Sequence, residues 1–151
     1  MNSRVRIQGK KFSVVIIFLF LLLFSSSFVY GQWDLVNPSY LSPNWHLFGV
    51  HFTSPTEGWA VGLDNTNQQT GILLHYSWGT WSLVTLPYVS PGWDLRRVHF
   101  ASASNGWAVG YDWAKGGGVL LHYSKGKWTS VTPPPVSTDW DLEAIHFTSA
   151  G

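Results

Sequence analysis

Short apolar runs, separated by small and polar residues, follow one another along the chain from residue 45 onwards. The first four read LFGVHFTS, GWAVGLD, GILLHYS and TWSLVTL. Each is rich in β-branched and aromatic residues and is bounded by Gly, Pro, Ser or Asn, which is typical of β-strands. None carries the apolar residues three and four positions apart that mark an amphipathic helix. The pattern therefore predicts strands and no helices.

The four runs occur twice. VHFTSPTEGWAVG begins at Val50 and VHFASASNGWAVG at Val98, and a third start, IHFTSAG, stands at the end of the chain. Trp45 and Trp93 are 48 residues apart, and Trp140 follows after another 47. Four short strands in a unit of about 40–50 residues are typical of one blade of a β-propeller. We therefore expect an all-β fold, a β-propeller of four-stranded antiparallel blades.

The repeat also predicts how the chain is divided. QWDLVNPSYLSPNW matches the end of each later unit, so it corresponds to a fourth, outermost strand with its linker. Because propellers usually have about four to eight blades, we expect these units to be part of a larger ring. The alternative is a short chain that completes a ring by oligomerising. The predicted divisions are an outer strand at 32–44, blades at 45–92 and 93–139, and the start of a further blade at 140–151.

The N-terminal segment has a different character. Four basic residues precede an apolar run from Phe12 to Phe24, and SSSFVYG follows it. This order is typical of a secretory signal peptide, which we predict at 1–31, and it indicates a secreted or periplasmic protein. The alternative is an uncleaved helix over 12–31 that anchors the chain in a membrane. Membrane contact is expected only through such a leader.

Composition narrows the function classes. After the leader the chain keeps five basic residues against all eight acidic ones, a net charge of −3. It therefore lacks the basic patch that nucleic acid binding needs. With no Cys in the chain, packing alone must hold the fold together. No close pair or triple of His has the spacing of a zinc site, so we expect neither a metal nor a cofactor.

The phrases GWAVG…GILLHYS.GTW and GWAVG…GVLLHYSKGKW resemble a known repeat. They are similar to bacterial propeller repeats of the photosystem II assembly and stability factor type, within the wider group of sialidase-like Asp-box propellers. The resemblance covers residues 33–151. The Asp-box turn of that group reads roughly S-x-D-x-G-x-T-W, whereas the turns here are SWGTW and SKGKW, without an Asp. This departure weakens the link to sialidase-like enzymes.

Repetition separates scaffold residues from residues that are free to bind. A residue that recurs in each unit is expected to serve the blade itself. Asp64 and Asp112 recur, and we interpret them as turn residues that bond to local backbone. The other recurring residues are Trp59, Trp107, Trp81 and Trp128, expected to pack between blades, and Gly62, Gly110, Gly79 and Gly126, expected in tight turns.

Three histidines recur on the predicted first strand of each unit. His51, His99 and His146 each lie between two apolar residues, so the imidazole faces away from those neighbours. One interpretation is a ring of imidazoles that binds a metal or an anion. The favoured interpretation is hydrogen bonding within or between blades, as for His75 and His122.

The residues that do not recur are the candidates for binding. Because strands alternate in direction, the linkers after each fourth strand and the loops after each second strand share one edge. Aromatic and Arg side chains are favoured as interface anchors, and several lie in these segments. The partner-binding candidates are Arg96, Arg97, Trp113, Lys115, Tyr88 and Tyr40.

Three function classes fit this pattern. The first is an exported, non-enzymatic module that binds a protein or supports its assembly, which the resemblance also implies because the assembly factors bind a membrane-protein subunit. The second is a carbohydrate-binding or glycoside-cleaving propeller. Cleavage usually needs two carboxylates about 5–10 Å apart, and the few acids lie mostly at turns, so we predict no catalytic residue. The third is a purely structural repeat in a larger surface protein.

Overall fold

The structure, a computed structural model, describes residues 39–66, 69–134, 136 and 139–148. These residues form two four-stranded antiparallel sheets and no helix, so the all-β prediction is confirmed. Both sheets lie in one compact unit, Asn37–Gly151. The predicted signal peptide and most of the outer strand lie outside the described residues. The strands are β1 (Trp45–Ser54), β2 (Glu57–Asp64), β3 (Thr70–Ser77), β4 (Thr80–Leu83), β5 (Arg97–Ser102), β6 (Asn105–Asp112), β7 (Gly117–Ser124) and β8 (Lys127–Ser130).

Each sheet is a meander in which consecutive strands are neighbours, β1 to β4 in the first sheet and β5 to β8 in the second. The register repeats as well, since Trp59 faces His75 across β2 and β3 and Trp107 faces His122 across β6 and β7. The predicted unit of four strands is therefore confirmed. The sheets are blade-like, and within the described residues they do not close into a ring.

The four glycines that were predicted to lie in tight turns fall into two groups. Gly79 and Gly126 have φ angles of 92° and 78° and lie in two-residue hairpin turns that require positive φ, as predicted. The prediction that Gly62 and Gly110 serve tight turns is wrong, because they lie within β2 and β6. The backbone of His46 passes close to Gly62, and that of Asp94 passes close to Gly110. A Cβ at either glycine would collide with the carbonyl oxygen of that neighbour.

Each sheet has two distinct faces. We call the side that carries Phe52 in the first sheet, and Phe100 in the second, the front face. The opposite, back face carries Trp59 in the first sheet and Trp107 in the second. The front face of the second sheet packs on the back face of the first, because the Trp59 ring centroid lies 5.1 Å from that of Phe100. The sheets are thus stacked front on back.

Trp59 is the centre of this interface and is 6% exposed. Its indole stacks on His75 within its own sheet, with ring centroids 4.1 Å apart. On the other side it meets Tyr123 at 5.1 Å and Trp128 at 5.7 Å. The expected packing role of Trp59 and Trp128 between sheets is therefore confirmed. Behind them lie the fully buried aliphatic side chains Val61, Leu73, Leu95 and Leu121.

Residues 139–148 extend the same pattern beyond the second sheet. The Trp140 indole lies over Gly118 just as the Trp93 indole lies over Gly71. His146 contacts His99 as His99 contacts His51, with ring centroids 4.7 and 4.4 Å apart. This segment therefore takes the place that the start of the second unit takes on the first sheet.

The repeat supplies a matched test of the interface. Phe100 is 5% exposed between the sheets, whereas Phe52, at the same register position in the first sheet, is 49% exposed. We expect Phe100→Ala to lower the free energy of unfolding by about 3–5 kcal/mol, as for other buried Phe residues. Phe52→Ala should cost less than half as much. Urea unfolding of both variants in dilute solution measures the difference, and equal losses would contradict front-on-back stacking.

Candidate functional site

The linkers and the loops after the second strands meet at one edge of the two sheets, as predicted. The Trp113 amide donates to the Gly92 carbonyl at 2.9 Å, and the Asn65 amide donates to the Asn44 carbonyl at 2.8 Å. We call this surface the linker edge. It comprises residues 39–44, 65–66, 69, 84–97 and 113–116 of the described chain.

Two recurring aspartates shape the loops of the linker edge. Asp112 Oδ1 accepts hydrogen bonds from the amides of Ala114 and Lys115 at 3.0 and 3.1 Å. Asp64 Oδ1 accepts the Thr66 amide at 2.9 Å and the Ser42 hydroxyl at 2.5 Å. The predicted turn role is confirmed. Burial favours a raised pKa for Asp64, but the hydrogen bonds from Ser42 and Thr66 outweigh it, so its pKa is held below the ordinary value.

Arg96 is the centre of an ion-pair network. Its guanidinium lies 3.2 Å from Asp94 and 2.7 Å from Asp141 and also contacts Glu143. It lies 5.5 Å from the centre of the Tyr111 ring. The hydrogen bond from Arg96 lowers the pKa of the Asp141 carboxyl. Arg96 therefore links the second unit to residues 139–148, and its charge is compensated by carboxylates.

Arg97 lies in the seam between the two sheets and is exposed. One terminal nitrogen of its guanidinium donates to the carbonyls of Phe48 and Arg96 at 2.8 and 2.7 Å. Both arginines line an open groove of about 530 Å³ together with Leu47, Phe48, Asp94 and Glu143. The groove thus combines exposed apolar side chains with fixed charges.

Phe48 lines the groove but is not among the residues predicted from the sequence to bind a partner. It is exposed in β1, next to Leu47. The sequence could have identified Phe48, because the residue at its position changes to Arg96 and Glu143 in the later units. Arg96 was chosen as a binding candidate because it does not recur, and Phe48 meets the same criterion.

Three other candidates cluster on the linker between the two sheets. Trp113 packs against Gly92 and, edge to face, against the Tyr111 ring. The Lys115 ammonium donates to the Val89 carbonyl at 3.1 Å. Tyr88, in the same linker, is 81% exposed. Trp113 and Lys115 therefore both contact the linker that carries Tyr88, and we call these three residues the patch.

Tyr40 lies apart from this patch. Its hydroxyl donates to the Trp81 carbonyl at 2.8 Å, and partial burial raises its pKa. The structure therefore places Trp113 and Lys115 against the linker that carries Tyr88. It places Arg96 and Arg97 in the groove and attaches Tyr40 to β4 of the first sheet.

The three first-strand histidines form a row across the units. The His51, His99 and His146 rings contact one another, and Nδ1 of His99 is buried without a hydrogen-bond partner in the part of the chain that the structure describes. For that atom the favoured hydrogen-bond interpretation is wrong. In the same part of the chain no group of three metal-ligating side chains is arranged to hold a metal ion.

Hydrogen bonding within the blade is confirmed for the other two strand histidines. His75 Nε2 lies 2.7 Å from Glu57 Oε2, and His122 Nε2 lies 2.9 Å from Asn105 Oδ1. The Ser77 hydroxyl donates to Glu57 at 2.7 Å rather than to the imidazole. The arrangement thus differs from a Ser–His pair, in which the imidazole activates the hydroxyl.

Neither the protein-family models nor the curated proteins give a match to this chain. Among the described residues no helix is long and apolar enough to cross a membrane.

The histidine row makes stability depend on pH. Burial lowers the pKa of His51 and of His99, and the neighbouring imidazoles lower both further. Unfolded histidine has a pKa of about 6.5, so below that pH the unfolded chain binds more protons than the folded one. We expect the free energy of unfolding to be constant above about pH 7.5 and to fall as the pH drops through about 6.5.

Urea unfolding at a series of pH values measures this slope. His99→Gln should reduce it, because one of the two depressed groups is removed. His46→Gln, at an exposed position outside the row, is the control and should leave the slope as in the unaltered chain. A His99→Gln variant as acid-sensitive as the control would contradict the assignment.

Proposed function

We propose that this chain is an exported, non-enzymatic β-propeller module that binds a protein partner through its linker edge. The observation that carries the proposal is the collection of non-recurring side chains on one edge of a recurring scaffold. Tyr88, Trp113 and Lys115 form the patch on the linker, and Arg97 lies beside Leu47 and Phe48 in the groove. Functional residues are commonly carried on loops that a rigid scaffold positions.

The chemistry of the linker edge supports a protein as the partner. Aromatic residues and arginine are enriched in the cores of protein interfaces, and charged residues are kept at their rims. Trp113 is held by the loop that Asp112 fixes, so little conformational freedom is lost when it is covered. Asp94 and Glu143 compensate Arg96 at the groove, which supplies a polar rim.

The propeller assignment is supported by the front-on-back stacking of two blade-like sheets and by the third start at residue 140. Export is supported by the order of basic, apolar and small residues at 1–31. The resemblance to photosystem II assembly factor repeats supports a role in binding or assembling another protein.

The non-enzymatic part of the proposal is supported by the contacts that the acidic side chains already make. Asp94, Asp141 and Glu143 all contact the Arg96 guanidinium, and the hydrogen bond from Arg96 lowers the pKa of the Asp141 carboxyl. A glycosidase needs one carboxylic acid that keeps its proton near neutral pH. Glu57 is likewise engaged by His75 and Ser77, and these hydrogen bonds lower its pKa.

Carbohydrate binding is the second candidate. Trp78 and Tyr88 are 80% and 81% exposed, and large exposed aromatic rings offer flat apolar surfaces to a ligand. The two lie on opposite edges, since the Trp78 amide donates to the Thr56 carbonyl in the first hairpin turn. A sugar site would therefore use only one of them.

Site-specific photocrosslinking in the host cell tests the proposal. Benzoyl-phenylalanine replaces Tyr88 on the linker edge or, as the control, Trp78 on the opposite edge, so the two probes are matched in size and exposure. We expect a discrete protein adduct from position 88 and none from position 78. Arg97→Ala should weaken the adduct at least about tenfold if it is an interface anchor.

Equal adducts from the two positions, or an adduct that Arg97→Ala leaves unchanged, would contradict protein binding through the linker edge. Binding to a glycan array that Tyr88→Ala or Trp78→Ala abolishes would favour the second candidate instead.

A further inference from the structure

The chain contains the same aromatic triad twice, once covered and once open. In the first sheet the ring centroids of Phe52, Tyr76 and Trp81 are 5.4, 6.1 and 5.2 Å apart. The equivalent rings of the second sheet are 5.5, 5.8 and 5.3 Å apart. The second triad consists of Phe100, Tyr123 and Trp128. The open triad, in the first sheet, therefore has the same arrangement of rings as the covered triad, in the second.

Exposure separates the two triads. Val50 and Phe52 are 61% and 49% exposed, whereas Val98 and Phe100, at the same positions of the second sheet, are each 5% exposed. The covering group in the second case is the back face of the first sheet, with Trp59 in contact with all three rings. The front face of the first sheet thus presents an apolar surface whose complement is known from within the same molecule.

The chain also carries a second copy of that complement. Trp59 stacks on His75 with centroids 4.1 Å apart and planes 22° apart. Trp107 stacks on His122 with centroids 4.1 Å apart and planes 21° apart. The back face of the second sheet is therefore built like the back face of the first, but its tryptophan is only half-buried.

We propose that the front face of the first sheet binds the back face of the second sheet in another copy of this chain. The Trp107–His122 pair of one molecule takes the place over Phe52, Tyr76 and Trp81 that Trp59 takes over the second triad. The contact joins two different surfaces, so it is heterologous, and it generates either a closed ring or an open chain of molecules.

For this contact to form, residues 139–148 must leave the back face of the second sheet and the incoming molecule must take their place. Residues 139–148 lie there, with Trp140 over Gly118 and His146 against His99, and they have no strand partner among the described residues. The segment WDLEAIHFT at 140–148 corresponds to WHLFGVHFT at 45–53. The β1 strand of the incoming molecule replaces this segment, with Trp45 and His51 in the places of Trp140 and His146, and brings three further strands, as in domain swapping. The ion pairs of Arg96 with Asp141 and Glu143 are given up in the exchange, because His46 and Phe48 stand at those positions.

Sedimentation of the full chain as a function of concentration tests the proposal. The unaltered chain should rise from the mass of one molecule to that of two or more between about 1 and 100 μM. Phe52→Glu, at the front face, and Trp107→Ala, at the back face, should each weaken association at least about 30-fold, as interface hot spots do. Val50→Glu, at a more exposed position, should act like Phe52→Glu without affecting folding.

Mixing the two variants gives the sharpest result. Phe52→Glu keeps an intact back face and Trp107→Ala an intact front face, so the mixture should form pairs that do not grow further. Trp140→Ala, which loosens the segment to be displaced, should strengthen association. A chain that remains a single molecule at about 100 μM would overturn the proposal. The proposal would also be overturned if Phe52→Glu and Trp107→Ala each associated as strongly as the unaltered chain. Association through the apolar segment 12–24 would give that result.

Discussion

The insertion of Trp59 into the aromatic triad of the next sheet is the contact on which the rest of this structure depends. A four-stranded sheet of this repeat is apolar on both faces and too small to bury either by itself. No disulfide assists it, because the chain has no Cys. Stacking front on back buries one face of each sheet. The contacts of His146 with His99 and of Trp140 with Gly118 extend the repeated arrangement to residues 139–148.

This constraint explains where variation is possible. Substitutions in the triad, in Trp59 or in the close-packed Gly62 and Gly110 alter the interface or the approach of neighbouring strands. Within the linker edge, Trp93 and Leu95 belong to the buried core. Its exposed side chains have no such packing role, and Asp64 and Asp112 hold its loops through hydrogen bonds from backbone amides. These exposed side chains can therefore change without loss of the fold, and the proposed binding residues lie among them.

Most of the fold follows from the sequence, because strand length, turn residues and repeat spacing all act locally. The two-residue turns at Gly79 and Gly126 are an example, since positive φ is a property of the turn itself. The close approach at Gly110 could not be predicted, because it comes from the backbone of Asp94, 16 residues earlier in the chain. The Arg96 ion-pair network could not be predicted either, because its partner Asp141 is 45 residues away in the chain. For the candidate site, strand direction was enough to predict that the linkers and the loops after the second strands share one edge. The position of Tyr40, away from Tyr88, Trp113 and Lys115 and against Trp81, could not be predicted.

A double-mutant cycle between Trp59 and Phe100 measures the central contact most directly. Their rings are stacked 17° from parallel, and such aromatic pairs contribute about 0.5–1.5 kcal/mol beyond the area they bury. We expect a coupling free energy of about that size from urea unfolding of the single and double Ala variants. Additive losses, with a coupling near zero, would show that the two sheets do not meet through these rings and would contradict front-on-back stacking.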